Sequence, residues 1–416
     1  MSKAPLMSLE AALEQVVSQA RASVMVSETV STFDALGRVL SQSLTSPIDV
    51  PAQDNTSMDG YAVLSEDLAQ GWGSVGRELK VTQRVPAGVT GQPLSSGEAA
   101  RIFTGAWIPN GATAVVMQED THLTPTGGLI IDKPVHHGQW IRRQGEDVRV
   151  GEVVLAKGER LTAASLGLAA SVGAATLEVT RKPRVALFST GDELVMPGEV
   201  HPSQMRPGSI YNSNRFFLKA LLTQLGCEVI DQGVVPDNQA ATLEALENAA
   251  KDSDVIISSG GVSVGEEDHV KPAVERLGSL NLWSLSMKPG KPFALGHIRA
   301  HSKVVHFMGL PGNPVSSFAT FMVLVRPFLL ALQGATKVEP KAYHLQAHFD
   351  LKKGDARREF LRVKLNAEGG LDLFPNQSSG VLTSCVWADG LVDNPAQNVI
   401  KRGDWVRFLP FSELSQ

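Results

Sequence analysis

Five short stretches of this sequence concentrate the residue types that handle anions. They are Ser189-Thr190-Gly191-Asp192-Glu193, Pro236-Asp237-Asn238, the run from Ser259-Gly260-Gly261 through Ser263 to Glu266-Glu267-Asp268, Lys288-Pro289-Gly290-Lys291-Pro292, and Gly309-Leu310-Pro311-Gly312-Asn313-Pro314-Val315-Ser316. Glycines let backbone N–H groups approach phosphate oxygens, and a helix N-terminus adds positive potential. Lys288 and Lys291, three residues apart across Pro289-Gly290, supply point charges for an oxyanion. Ser316 follows Pro314, a residue type favoured at the first helical position. Asp192, Glu193, Asp237 and Asp268 are hard oxygen donors of the kind that hold Mg²⁺, with phosphate completing the shell. Carboxylates beside a phosphate would otherwise repel it, so a bridging cation is the simplest explanation. The combination reads as an anion site with metal ligands beside it. Singly, each stretch has a plainer reading: Gly260-Gly261 as a turn, 189–193 as a helix cap, 309–314 as a rigid turn, and the lysines as solvated cations.

Each of the five stretches closes an apolar run. Strands are predicted over 185–188, 228–235, 254–258, 282–287 and 304–308, and helices over 214–225, 240–250, 270–277 and 314–332. Such alternation predicts a parallel or mostly parallel sheet covered on both faces, with ligands outside the carboxyl ends of its strands. Upstream, Ser8 is a candidate N-cap for a helix carrying Leu9, Leu13, Val16 and Val17, and a second helical segment is expected at 161–172. Between them, residues 46–144 are short apolar runs split by turn signals, which predicts a β-rich module inserted into a helical one built from both flanks. Inside it, the polar segment 54–62, with Asp59, and Arg101-Ile102-Phe103-Thr104-Gly105 again set polar groups beside glycines, as does Gly145-Glu146-Asp147 just beyond it. A polar loop leading into a strand at 61–64 would look the same. Residues 334–341 read as a linker. The alternating segments 343–351, 359–365, 371–374, 380–386 and 405–409 predict a small antiparallel β domain.

Composition narrows the function classes. The 416 residues fit two to four domains, and 43% hydrophobic residues suffice for several cores. A net charge of −5 without a long basic run argues against nucleic-acid binding. The two cysteines, Cys227 and Cys385, are far apart, which fits a reducing compartment. The ten histidines make no metal pattern. No Walker motif, no dinucleotide fingerprint after a strand and no Gly-x-Ser-x-Gly elbow is present. The N-terminus has no apolar signal core, and the apolar stretch 318–332 contains Arg326 and Pro327 and reads as too short to span a bilayer. The expectation is a cytoplasmic protein with neither a nucleic-acid nor a membrane partner.

The strings 54–62, 188–194, 258–268, 288–292 and 309–316, in this order, resemble the molybdopterin molybdenumtransferase family (MoeA and the E domain of gephyrin), and the resemblance covers nearly the whole chain. It implies a multidomain α/β protein. An elongated helical domain comes from 1–45 and 145–184, and a β-rich domain is inserted at 46–144. An α/β domain at 185–332 would be like that of molybdopterin adenylyltransferases, and a β-barrel-like domain would close the chain at 335–416. It also implies insertion of molybdate into adenylylated molybdopterin with release of AMP, Mg²⁺ as the metal, and a homodimer in which the insert of one subunit approaches the α/β domain of the other. The molybdopterin adenylyltransferase is a candidate partner. Carried over, Asp59, Glu193, Asp237 and Asp268 are the expected catalytic carboxylates, with Asp237 and Asp268 on the metal. Thr104, Asp147, Thr190, Gly260, Gly261, Ser263, Pro311, Asn313 and Pro314 are expected at the substrate. Lys288, Lys291, Pro292, Ser316, Arg357 and Ser379 are expected at molybdate. Thr56-Ser57 replaces the family's commoner Ser-Ala. Alternatives are an adenylyltransferase on the same α/β fold, a scaffold of the gephyrin type, and a relative that handles tungstate.

Overall fold

The computed structural model describes residues 6–68, 78–261, 269–300 and 303–414; Ser263 and Asp268 lie outside them. Its central element is a six-stranded sheet in the order Glu228–Val235, Arg184–Thr190, Val255–Ser259, Lys303–Leu310, Pro292–Ala300, Gly278–Ser284. The first four strands run parallel, Pro292–Ala300 runs against them, and Gly278–Ser284 runs with them again, so the last two pairings are antiparallel. Both faces are covered, which explains the unbroken apolar runs. Successive side chains point to opposite sides. Val185 and Leu187 join one core with Leu218, Leu222 and Leu329, while Ala186 and Phe188 join a second with Leu246 and Val274. Strand order reverses between Arg184–Thr190 and Val255–Ser259, the place where such sheets open a crevice.

The structure departs from the sequence reading at the far edge of this sheet. The strand expected at 282–287 is Gly278–Ser284, and Met287–Lys288 leaves to join another sheet. Pro292–Ala300, which the sequence reading left out, is a nine-residue strand. Proline is tolerated at a strand's first residue. Gly296 lets the neighbouring backbone close in, since a Cβ there would lie 2.3 Å from the Ser279 carbonyl oxygen.

Arg326 and Pro327 do not interrupt the apolar stretch. Residues Pro314–Leu332 form one helix of 19 residues, with mean hydropathy 1.8. By length and composition it could cross a membrane, so the expectation that it is too short is corrected; 94% of that stretch is buried inside the protein. A widened π turn, Phe321–Val325, precedes Pro327 and makes room for its ring. The Arg326 guanidinium donates to the carbonyls of Val338 and Glu413. Helix Leu9–Arg21, capped by the Ser8 hydroxyl, lays Leu9, Ala12, Val16 and Ala20 into the same core.

The two flanks of the insert close on one another. Ser27–Ser31 pairs antiparallel with Thr176–Thr180, and Leu44–Thr45 with Val153–Leu155. Helix Ala163–Ser171, with a Thr162/Ser165 capping box, completes this part, so strand pairs contribute as much as helices. Val50 and Val148 then exchange N–H···O bonds of 2.7 and 3.2 Å, making a two-stranded stalk. Beyond the stalk stands a four-stranded sheet in the order Lys80–Val85, Glu98–Ile102, Gly60–Val63, Ala114–Met117.

The last sheet runs Met287–Lys288, Arg358–Leu365, Gly390–Asn394, Trp405–Pro410, Tyr343–Gln346, with Leu371–Leu373 beside Arg358–Leu365. Residues 380–386 do not form the expected strand. They turn into the short helix Thr383–Trp387, where Trp387 meets the Phe374 ring edge-on at 5.3 Å and the Ser384 hydroxyl bonds the Val381 carbonyl.

Candidate functional site

A cleft of about 800 Å³ lies at the carboxyl ends of the parallel strands. Thr190, Gly191, Glu193, Asp237, Gly260, Gly261, Pro292, Pro311, Asn313, Pro314 and Ser316 all line it, as the sequence reading expected. Gly260 and Gly261 have φ of +91° and +66°. A Cβ on Gly261 would sit 2.4 Å from the Val270 side chain and 2.8 Å from Thr190 Oγ1. Only glycine lets this turn lie so close to the first strand. The helix at Pro314 starts from Asn313 without a side-chain cap; Pro314 has no N–H and Val315 gives its own to the Ser379 carbonyl, so the Ser316 N–H is the early helical one with no bond among the described residues. Asp237 N–H donates to Asp192 Oδ1 at 3.3 Å, tying two strand-end loops together.

Among the described residues, no group of three or more His, Cys, Asp or Glu side chains could hold a metal ion. Glu193 and Asp237 nevertheless line the cleft. That donor set fits Mg²⁺, which keeps several waters and uses one or two carboxylates plus substrate phosphate.

The residues expected around the oxyanion divide into three sets. Lys288 Nζ lies 3.2 Å from Asp355 and 3.2 Å from Glu359. Burial alone would lower its pKa, but the bonds to Asp355 and Glu359 outweigh that and raise it. Asp355 also grips Arg357, accepting from its backbone N–H and Nε at 3.0 Å each and from Nη2 at 3.3 Å. Arg357 holds the Asp355 carboxyl far below the usual carboxylate range, helped by Lys288. Lys288 and Arg357 thus lie in a neutralised cluster and do not line the cleft. Lys291 is exposed, and its side chain has no ion pair or hydrogen bond among the described residues. Ser379 accepts the Val315 N–H at 3.0 Å through its carbonyl, and its neighbour Gly380 lines the cleft, so the last domain reaches the site.

Several residues here escaped the sequence reading. Arg362 is 1% exposed and donates to the Phe360 carbonyl at 3.0 Å, Ser384 Oγ at 3.2 Å and the Ser378 carbonyl at 3.4 Å. All three partners are neutral, and burial lowers its pKa to about 10. It braces the segment that carries Ser379 and Gly380. An arginine within the apolar run Phe360-Leu361-Arg362-Val363 was the available signal. Residues 210–213, and Asn214 at the start of the expected helix, line the cleft throughout.

None of the residues that line the cleft comes from 46–144. Within the insert, Asp59 and Thr104 are brought together: Asp59 Oδ1 accepts from the Thr104 N–H at 2.8 Å and hydroxyl at 2.7 Å. The backbone bond, then the hydroxyl bond, lowers the Asp59 pKa, with the Arg101 charge adding to it. Arg101 donates to the Gly60 carbonyl and lies 4.7 Å from the Phe103 ring centre. Asp147 is exposed beside the stalk, its N–H on the Val50 carbonyl.

Three family models match the chain: "MoeA N-terminal region (domain I and II)" over 7–173, "Probable molybdopterin binding domain" over 186–331, and "MoeA C-terminal region (domain IV)" over 344–411. The molybdopterin molybdenumtransferase of Haemophilus influenzae is 39% identical over 397 residues, covering 93% of this chain and 94% of that protein. That of a Nostoc species is 36% identical, covering 88% and 85%. A crystal structure of the molybdopterin biosynthesis moeA protein from Pyrococcus horikoshii superposes with a TM-score of 0.82 at 28% identity, covering 98% of this chain and all of that one. With its strand-end cleft and all three regions matched in order, this chain belongs to the molybdopterin molybdenumtransferase (MoeA) family.

Proposed function

We propose that this protein inserts molybdate into adenylylated molybdopterin, releasing AMP and giving molybdenum cofactor. One observation carries the reading: a single cleft at the topological switch point combines glycine turns and an uncapped helix start with the carboxylates Glu193 and Asp237. Donors of that kind suit phosphate oxygens. In this reading Thr190, Gly260, Gly261, Ser263, Pro311, Asn313 and Pro314 hold the substrate's phosphate end. Asp237 and Asp268 would hold Mg²⁺, which when bound neutralises charge on the phosphates; Glu193 shapes the same wall. Lys291, Pro292, Ser316 and Ser379 bind molybdate. Lys288 and Arg357 belong to the same pocket through the cluster around Asp355, and Arg362 steadies the Ser379 segment.

Asp59, Thr104 and Asp147 act on the cleft of a second subunit. The separation of the insert from its own cleft supports a homodimer with shared sites. The same reading divides the chain into 1–45 with 145–184, 46–144, 185–332 and 335–416, and puts the enzyme in the cytoplasm, in keeping with two free cysteines. Molybdate-dependent release of AMP from adenylylated molybdopterin, measured with and without chelator, tests the proposal. Turnover needing both molybdate and Mg²⁺ is expected. Consumption of ATP with molybdopterin, and no molybdate dependence, would make it an adenylyltransferase instead.

A further inference from the structure

Asn214 sits in the first turn of helix Ser213–Gln224 and is 8% exposed. Its amide nitrogen donates to Ser259 Oγ at 2.9 Å and to the Gly312 carbonyl at 2.8 Å. A carbonyl only accepts, so the amide orientation is fixed. Both N–H groups are engaged. The two partners lie at or just beyond the ends of neighbouring paired strands, and each leads into a separate part of the cleft lining: Ser259 directly into Gly260-Gly261, and Gly312 directly into Asn313-Pro314. The helix that carries Asn214 is itself anchored. Asn212 Oδ1 accepts the Arg215 N–H, Arg215 Nε holds Asp231 at 2.7 Å, and Leu218, Leu221 and Leu222 are buried in the core.

We propose that Asn214 is a positioning residue for the substrate's nucleotide phosphate, and that it sets the spacing between the glycine turn and the uncapped helix start. The inference rests on the reading that this cleft takes AMP. An oxyanion held between two N–H-bearing segments is bound well only when both lie within hydrogen-bond reach together. Gly260 N–H also bonds the Leu310 carbonyl at 3.0 Å, so the backbone ties the same segments one step deeper. Loss of Asn214 therefore loosens the rim of the cleft and leaves the sheet beneath it intact.

The test is calorimetric titration of the purified protein with AMP, alongside thermal melting and the molybdate dependence of turnover. Asn214→Ala is expected to raise the AMP dissociation constant at least about tenfold, the loss of one to two good hydrogen bonds. The half-saturating molybdate concentration should stay within about twofold of the parent. Ser259→Ala cuts one of the two ties and should weaken AMP binding less. In the double variant, Asn214→Ala with Ser259→Ala, binding should be no weaker than in Asn214→Ala alone, because both act through one tie. Unchanged AMP affinity in folded Asn214→Ala, or fully additive losses in the double variant, would overturn the proposal. If Asn214→Ala does not fold, unchanged AMP affinity in Ser259→Ala overturns it equally. Absence of AMP binding by the parent protein would refute the proposed function instead.

Discussion

The strand-end cleft and the Asp59 loop of the insert are both polar and glycine-flanked, yet they are built in opposite ways. In the cleft, the helix at Pro314 lacks a side-chain cap, and φ-positive glycines hold a turn against the first strand. In the insert, Asp59 is already bonded twice by Thr104, and Arg101 is fixed on the Gly60 carbonyl and two aromatic rings. One surface is shaped by its backbone turns; the other is braced by side-chain bonds to Asp59. Shape in the cleft depends on backbone conformation that only particular residues permit, whereas shape in the loop depends on side-chain bonds made within the loop. Substitutions should therefore damage the two regions differently.

The largest effect is expected where the cleft's backbone is touched. Gly261→Ala places a methyl group 2.4 Å from Val270 at a left-handed backbone position, so activity should fall by at least about 100-fold, equivalent to roughly 3 kcal/mol. Steady-state AMP release checks this, and parent-like rates would mean the turn does not bind substrate. Next comes Asp59→Ala. Asp59 is exposed, so the melting temperature should hardly move while activity falls about tenfold or more. Mixing that variant with Asp268→Ala and isolating heterodimers should restore part of the activity. No recovery would place both regions in separate sites.

The comparison sharpens at the two lysines proposed to serve molybdate. Lys291→Ala removes a cation with no side-chain partner among the described residues and should raise the half-saturating molybdate concentration about tenfold. Lys288→Ala leaves the buried Glu359 without its cation and Asp355 with Arg357 alone, so its main cost should be stability, on the order of 1–3 kcal/mol by denaturant titration. Equal molybdate shifts in the two variants would erase the distinction. The smallest effect concerns acid. Asp355 has its folded pKa depressed by Arg357 and Lys288. The stability it contributes is present above the ordinary carboxylate pKa and is lost as pH falls through the depressed folded value. Asp355→Asn should thus be less stable than the parent by about 1–2 kcal/mol near pH 7, and the difference should shrink steadily below pH ~4. A gap independent of pH would assign the loss to packing.

What the sequence made legible follows from the range of the interactions involved. Strand Glu228–Val235 and helix Val270–Leu277 fall where the local apolar pattern put them. The cleft was legible because a parallel sheet gathers all its strand ends on one edge, whatever the loops contain. Strand Pro292–Ala300 was not, since its opening proline and central glycine argue locally against a strand and only the neighbouring backbones decide. Lys288 finds its carboxylates 67 and 71 positions away, at Asp355 and Glu359, and Arg362 finds Ser378 and Ser384 across a domain. Contacts of that kind carry no periodicity, so two lysines that look equivalent in sequence prove to have different surroundings.

The two-stranded stalk makes the insert a detachable cassette. Because Val50 and Val148 face each other in a hydrogen-bonded pair, their Cα atoms stand about 5.5 Å apart, a gap that a two-residue hairpin turn can close. Everything between them, 51–147, could then be excised without asking the rest of the chain to span a new distance. The same geometry permits exchange of the whole cassette between relatives, with the strand-end cleft inherited unchanged and only the opposing surface replaced.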